Sequence, residues 1–147
     1  MPGIIVGIDG SDHSRLALAW AMREAVQHHV PLAVITVQPA PVRPATRIFW
    51  GVPDLPDHSH DPELARKALL GFVDQVASES AETRPEITVS VATGDAAEEL
   101  VRASRDADML VVGSRGSGGF ARLLMGSVSS QVTHHATCPV VIIPGGR

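Results

Sequence analysis

Residues 108–130 bring glycines, hydroxyls and arginines together in a pattern that can bind phosphate. The apolar run at 109–112 predicts a strand buried inside a parallel sheet. The run is followed by glycines, which admit positive φ and the close approach of a ligand, and by side-chain donors: Gly113, Gly116, Gly118, Gly119, Ser114, Arg115, Ser117 and Arg122. Residues 126–130 then open a helix whose backbone N–H groups favour an anion. The stretch predicts a phosphate-bearing ligand; the alternative is a tight turn that only packs a helix against the sheet.

Two better-known phosphate motifs do not fit this stretch. A Walker A loop needs a lysine after its last glycine, and the single lysine of the chain, Lys67, lies in another segment. Residues 116–121 fit the dinucleotide pattern G-x-G-x-x-A, but they begin three residues past the strand and lack a following acidic residue for a ribose. The ligand is therefore not expected to be a nicotinamide or flavin dinucleotide.

Length and composition predict one soluble domain over residues 1–147. The chain is 44% hydrophobic and 19% charged, which is ordinary for a globular protein with a core. Neither a membrane-spanning apolar run nor a secretory leader is recognisable, so a cytoplasmic location is expected and no membrane partner. The net charge of −4 argues against nucleic acid as a partner. Cys138, the one cysteine, is expected to be a buried, inert thiol.

Hydrophobic periodicity predicts alternating strands and helices. Strands are expected at 3–9, 32–38, 86–92, 109–112 and 139–143, and helices at 13–29, 61–82, 95–105 and 126–136. Asp61-Pro62 and the box-like 95–98 are helix-start signals. Residues 39–60 are too long for a plain connection and are expected to form a flap or an ordered surface loop.

This alternation predicts a three-layer α/β/α sandwich with a five-stranded parallel sheet. The third strand is polar at every second residue, so it is placed at an edge in the order 3-2-1-4-5. Strands one and four are then neighbours where the winding reverses, and ligands bind there, outside the carboxyl ends. Asp9 and Gly113 are expected to face the same crevice.

The spacing Gly113-x-x-Gly116, nine residues, then Gly126-Ser127 resembles the signature of the ATP-binding branch of the universal stress protein family. Residues 4–11 (IIVGIDGS) and 138–144 (CPVVIIP) resemble the same family, so the likeness covers essentially the whole chain. It implies an adenine nucleotide alpha hydrolase-like fold, in agreement with the strand order above.

The resemblance also implies a set of ATP-binding residues. Asp9 would lie on the adenosine side with Gly10 and Ser11, and the backbone of Val37 would line the base. Contacts to ribose and phosphates are carried over to the two glycine-containing segments: Val112, Gly113, Arg115, Gly116, Gly126, Ser127, Val128 and Ser129. Asp9 has an alternative role as a turn residue that bonds its own backbone, and the two roles are compatible. Arg115 and Arg122 can each clamp phosphate oxygens or be solvated, and Arg122 is expected to be solvated.

No catalytic residue and no protein metal site is predicted. Recognisable nucleophile and metalloenzyme motifs do not occur, although Mg²⁺ can accompany the phosphates with few protein ligands. His58 and His60, with Asp57 and Asp61, are a metal-chelating alternative to ordinary solvated loop histidines.

The expected function is that of an ATP-binding regulator of the stress response, acting on a regulated protein that the sequence does not identify. ATP would order the glycine-rich loop and residues 39–60 and so change the surface offered to partners. Alternatives are an ATP-hydrolysing or nucleotidyl-transfer enzyme using the same pocket, and a dimeric scaffold without nucleotide. The last strand, Pro139 to Ile143, is an apolar edge; the family commonly dimerises there, which predicts a homodimer, unless the chain covers this edge itself.

Overall fold

The five predicted strands and four predicted helices are present in the computed structural model, which describes residues 3–39, 61–80, 83–114 and 126–145. The strands are β1 (Ile4–Gly7), β2 (Leu32–Gln38), β3 (Ile87–Thr93), β4 (Met109–Gly113) and β5 (Val140–Ile143). The helices are α1 (Asp12–His28), α2 (Pro62–Ser78), α3 (Ala96–Ala103) and α4 (Ser127–His135), with a 3₁₀ turn at Ser104–Asp106. Within these described ranges, no helix is both long and apolar enough to cross a membrane.

The strands form one parallel sheet in the order β3-β2-β1-β4-β5, which confirms the predicted order. β1 lies between β2 and β4, with Ile4 opposite both Leu32 and Met109. β3 is an edge, and its side chains alternate between half-buried and exposed along most of its length, as its sequence predicts. The winding reverses between β1 and β4, so the crevice at their carboxyl ends is the expected ligand position.

The core has two halves because strand side chains alternate between the faces of the sheet. One half packs α1 and α2 against one face, through residues such as Val6, Val34, Val111, Leu18 and Val73. The other half packs α3 and α4 against the opposite face, through residues such as Ile35, Leu110, Val112, Leu100 and Val132. The sheet is thus the middle layer of three, as predicted.

Short polar side chains begin three of the helices. The Asp61 carboxylate accepts a hydrogen bond from the Glu63 N–H at 3.0 Å, and Pro62 follows at the first helical position. The Asp95 carboxylate accepts from the Glu98 N–H at 3.0 Å, which is one half of a capping box. Ser11 caps α1. These bonds satisfy N–H groups that have no partner within the helix.

Several boundaries differ from the predicted ones. β1 ends at Gly7 and not at residue 9, because the chain turns at Gly10, where φ is +83°. α2 ends at Ser78, and α3 becomes a 3₁₀ turn after Ala103. Cys138 is half-buried and not buried. It precedes β5, an edge strand that has β4 as its one neighbouring strand among the described residues. Of the loop predicted at 39–60, residues 40–60 lie outside the described residues.

Candidate functional site

Two segments about a hundred residues apart meet at the carboxyl edge of the sheet. β1 and β4 are parallel neighbours, and Val6 lies opposite Val111. The turn that follows β1 and the chain that follows β4 therefore leave the sheet side by side. This places Asp9 and Gly113 at one crevice, as the sequence predicts.

The first wall of this crevice is the turn Asp9-Gly10-Ser11. Oδ1 of Asp9 accepts hydrogen bonds from the Ser11 N–H, at 2.9 Å, and from the Ser11 hydroxyl. The Ser11 hydroxyl in turn accepts from the Ser14 N–H at 3.2 Å and so caps α1. Asp9 thus has the turn role that the sequence left open, while its ligand role stays a prediction. A Cβ built on Gly10 meets no atom of the described residues within 4 Å, so none of them fills the space beside this turn.

The second wall is the end of β4. A Cβ on Gly113 would lie 3.0 Å from the carbonyl carbon, carbonyl oxygen and Cβ of His13, so the first turn of α1 packs directly on this glycine. Ser114 donates its N–H to the Ile143 carbonyl at 2.8 Å. The Ser114 carbonyl accepts from the Gly126 N–H and from the Ser129 hydroxyl, the latter at 3.1 Å. These bonds hold the start of α4 against the end of β4.

The start of α4 carries the partial positive charge of the site. Its N-cap, Gly126, makes no side-chain capping bond, and the first turn has no acidic residue. The Gly126 carbonyl accepts the first intrahelical bond, from the Ser130 N–H at 3.0 Å, so the N–H groups of residues 127–129 precede the helical ladder. Ser127 is exposed. Ser129 is 2% exposed and its hydroxyl is bonded within the chain, so only its backbone is available to a ligand.

Two predicted residues contribute backbone and little else. Val112 is buried among the side chains of the core, so only its main chain can line the crevice. Val37 lies two residues beyond Ile35, which is paired with Gly7 at the end of β1, and Asp9 likewise follows Gly7 by two residues. Its side chain packs against the core on the α3 face.

Some predicted contacts fall outside the described residues. Arg115, Gly116 and Arg122 lie in the undescribed range 115–125, and Asp57, His58 and His60 lie in the range 40–60. Across the described residues, no group of three or more His, Cys, Asp or Glu side chains is placed to hold a metal ion.

His13 is a crevice residue that the sequence did not single out. It is the second residue of α1, its backbone packs on Gly113, and its imidazole lies against Gly145 beyond the end of β5. Nδ1 of the ring is buried and, within the described residues, has no hydrogen-bond partner. The one sequence signal is its position directly after the Asp9–Asp12 turn, because a residue in the first turn of α1 must lie near the strand ends.

A separate groove of about 320 Å³ runs between α3 and α4, lined by Asp95, Ala97, Glu98, Val101, Arg102, Arg105, Gln131 and His135. Most of its charged side chains are exposed, and Arg102 bonds the Glu99 carboxylate at 2.9 Å on the same helix. The groove is therefore a solvated helix surface, whereas the strand-end crevice concentrates backbone donors.

Solved structures with the same architecture include several universal stress proteins. The chain matches UspA from Lactobacillus plantarum at a TM-score of 0.75 and 22% identity, covering 97% of both chains. It matches a universal stress protein in complex with cAMP at 0.69 and 24%, covering 99% and 98% of the two chains. A third match, from Archaeoglobus fulgidus in complex with dAMP, has a TM-score of 0.66 and 21% identity, covering 97% and 98%. The shared fold is the adenine nucleotide alpha hydrolase-like fold.

Curated sequences give the same assignment. Universal stress proteins Rv2624c and Rv2623 of Mycobacterium tuberculosis are each 36% identical to the chain, over 143 and 146 residues. These alignments cover 97% and 96% of the chain but 48% and 47% of the relatives, so it spans about half their length. The model of the universal stress protein family matches residues 2–144. The chain therefore belongs to the universal stress protein family.

Proposed function

We propose that the chain binds ATP in the crevice between the ends of β1 and β4 and acts as a nucleotide-dependent regulator of the stress response. The observation that carries the proposal is the convergence of the Asp9 turn, Gly113 and the start of α4 on one edge of the sheet. Two of the similar structures are complexes with cAMP and dAMP, which supports an adenine nucleotide as the ligand class.

The proposed nucleotide runs across the strand ends from β2 towards α4. The base lies at the backbone of Val37, and the adenosine side meets Asp9, Gly10 and Ser11. The ribose and first phosphate pass Val112 and Gly113, with Arg115 and Gly116 added from the sequence. The distal phosphates lie at the start of α4, on the backbone of Gly126, Ser127, Val128 and Ser129. N–H groups at a helix start suit such an anion, and the first turn of α4 has no acidic residue that would compete for them.

Mg²⁺ fits this arrangement as a companion of the phosphates. It prefers oxygen ligands and keeps several waters, so phosphate oxygens can hold it without a dedicated protein cage. The ion would neutralise part of the phosphate charge. We assign no catalytic residue, and we propose cytoplasmic regulation of a partner protein.

Mass spectrometry of ligand released from freshly purified protein, combined with calorimetric titration with ATP and Mg²⁺, tests this function. We expect ATP in the released fraction and saturable heat at one site per chain. Competition by cAMP and dAMP measures how strongly the site prefers the triphosphate of ATP over a single phosphate group. Steady phosphate release above the buffer rate would favour the ATP-hydrolysing alternative. A chain that carries no nucleotide and gives no heat would contradict the proposal and leave the scaffold alternative.

We also propose a homodimer that pairs through β5, over residues 139–143. The Pro139 and Ile143 carbonyls bond β4, so the backbone groups of Val140 and Ile142 point to the outer side of the strand. All four β5 residues are half-buried, and their side chains pack into the two halves of the core. A second copy would satisfy the outward hydrogen-bonding groups.

Proline at position 142 is expected to weaken this dimer by at least about tenfold in dissociation constant, because it removes an outward N–H while the bonds to β4 remain. Sedimentation equilibrium measures the change. Val91→Pro, on the opposite edge of the sheet, is the matched control. Glu86 and Gly94, at the two ends of β3, bond β2 through their backbones. Because backbone groups alternate along a strand, the N–H of Val91 points away from β2. Equal dimer affinities for wild type and Ile142→Pro would place the interface elsewhere.

A further inference from the structure

A side chain ends the hydrogen-bonded ladder between β1 and β2. The Ile8 N–H bonds the Ile35 carbonyl at 2.9 Å, just past the last paired position of β1, Gly7. In a longer parallel ladder the Ile8 carbonyl would accept from the Val37 N–H, because each residue bonds the two positions that flank its partner. It accepts instead from the Thr36 hydroxyl, at 2.7 Å. Thr36 thus occupies the acceptor that would otherwise bind the backbone of Val37.

The backbone of Val37 faces the side of β2 on which β1 has ended. Leu32 and Gln38 bond the two ends of β3 through their backbones, so every second residue of β2 bonds β3 and the others face β1. Val37 belongs to the second set, but the pairing of β1 stops at Gly7. Among the described residues, neither its N–H nor its carbonyl continues the ladder to the chain that follows β1. That chain turns at Gly10, where φ is +83°.

An N–H and a carbonyl side by side match the hydrogen-bonding groups of adenine. The adenine N6 amino group donates, and the ring nitrogens on either side of it, N1 and N7, accept. Guanine has the acceptor O6 in place of this amino group, so it would bring one acceptor against another at the Val37 carbonyl. The match requires that the Val37 N–H is not already bonded to Ile8.

We propose that Thr36 is a positioning residue of the nucleotide site, whose hydroxyl holds the Ile8 carbonyl and so keeps the Val37 N–H available to the adenine ring. This inference rests on the proposed ATP binding. Thr36 acts through the backbone and does not touch the ligand. Its side chain lies on the sheet face of Val34, which packs against α1 and α2, whereas the base is proposed at the strand ends.

Titration calorimetry with ATP and with adenosine, on wild type and Thr36→Val, tests the assignment. Valine keeps the branched shape but has no hydroxyl, so the Ile8 carbonyl is expected to bond the Val37 N–H. ATP and adenosine should both bind about tenfold more weakly, the effect of one lost hydrogen bond. Thr36→Ser keeps the hydroxyl and should restore most of the affinity. Thr88→Val, at an exposed threonine of β3, is the matched control and should bind like wild type.

Two adenosine analogues provide a measurement that a purely structural role of Thr36 would not change. In 1-deazaadenosine and 7-deazaadenosine, N1 or N7 is replaced by a C–H group that cannot accept a hydrogen bond. Wild type should bind one of these analogues about tenfold more weakly than adenosine. Thr36→Val should bind that analogue and adenosine alike, because its Val37 N–H is already bonded. If the variant kept the discrimination of wild type, Thr36 would have a structural role only, and the inference would be overturned.

Amide hydrogen exchange, followed by nuclear magnetic resonance, tests the same step without a ligand. In wild type the Val37 N–H should exchange at least tenfold faster than the N–H of Ile35, which the register places in the ladder to β1. In Thr36→Val the Val37 N–H should become protected to a similar extent as that of Ile35. Equally fast exchange of the Val37 N–H in wild type and in the variant would contradict the role of Thr36.

The results separate this inference from the proposed function. If wild type binds neither ATP nor adenosine, the proposed function fails, and the role of Thr36 in nucleotide binding with it. If wild type binds both ligands and Thr36→Val binds them equally well, the role of Thr36 alone is overturned.

Discussion

Replacing Ser127 with aspartate is expected to weaken ATP binding about 100-fold while leaving the fold at least as stable as wild type. Ser127 is the exposed first residue of α4, where backbone N–H groups precede the helical ladder. A carboxylate at a helix start stabilises the helix by about 0.3–1 kcal/mol, because it complements the helix dipole. The same carboxylate would occupy the donors proposed for phosphate and repel its charge.

The size of the expected loss in ATP affinity depends on how far solvent screens the repulsion between the carboxylate and the phosphates. Two unit charges 4 Å apart interact by about 4 kcal/mol at an effective dielectric constant near 20, and solvent at this exposed position reduces that figure. A 100-fold loss corresponds to about 2.8 kcal/mol, within that limit. Calorimetry measures the loss, and urea unfolding measures stability on the same samples.

Ser127→Asn is the matched control for this substitution. Asparagine has nearly the size of aspartate but no charge, so it is expected to bind ATP within a few-fold of wild type. The loss in Ser127→Asp should also shrink as ionic strength rises, because its origin is electrostatic. If the aspartate variant bound ATP as tightly as the asparagine variant, the phosphates would not lie at the start of α4.

The orientation of the strands explains why one edge of the sheet collects the binding groups. All five strands are parallel, so the four helices that follow β1 to β4 all begin at the same edge. At β1 and β4 the following helices go to opposite faces and lead away from each other, α1 to β2 on one side and α4 to β5 on the other. The crevice is therefore a consequence of strand order, and residues 9 and 113 become neighbours without any local sequence relation.

This dependence on strand order also explains which parts the sequence could predict. Apolar runs and the Asp61-Pro62 start signal are local patterns, and they located the elements to within a few residues. The polar alternation of β3 was enough to place it at an edge, and the rest of the order followed. The hydrogen bonds of side chains, in contrast, join residues that are distant in sequence: the Ser129 hydroxyl bonds the Ser114 carbonyl, fifteen residues away. His13 was missed because its environment depends on Gly145, at the other end of the chain.

Exchanging Gly113 for alanine is expected to destabilise the protein by about 2 kcal/mol, within the range measured for overpacked sites. The new methyl group would lie 3.0 Å from three His13 atoms, two of them in the backbone, so the first turn of α1 would have to move and not merely a flexible side chain. Since that turn carries Ser11 and His13, ATP affinity should fall as well. Urea unfolding at constant m-value gives the free energy change.

Gly71→Ala is the internal comparison, because the same substitution should have the opposite sign there. Gly71 lies inside α2 and is exposed, and a Cβ on it meets no atom of the described residues within 4 Å. Alanine is favoured over glycine in a helix interior by about 0.8–1 kcal/mol, so this variant should be more stable than wild type and bind ATP unchanged. If Gly113→Ala were instead as stable as wild type, the close packing of α1 on the end of β4 would be wrong. The geometry proposed for both walls of the crevice would then need revision, since His13 and the Asp9 turn are positioned through that contact.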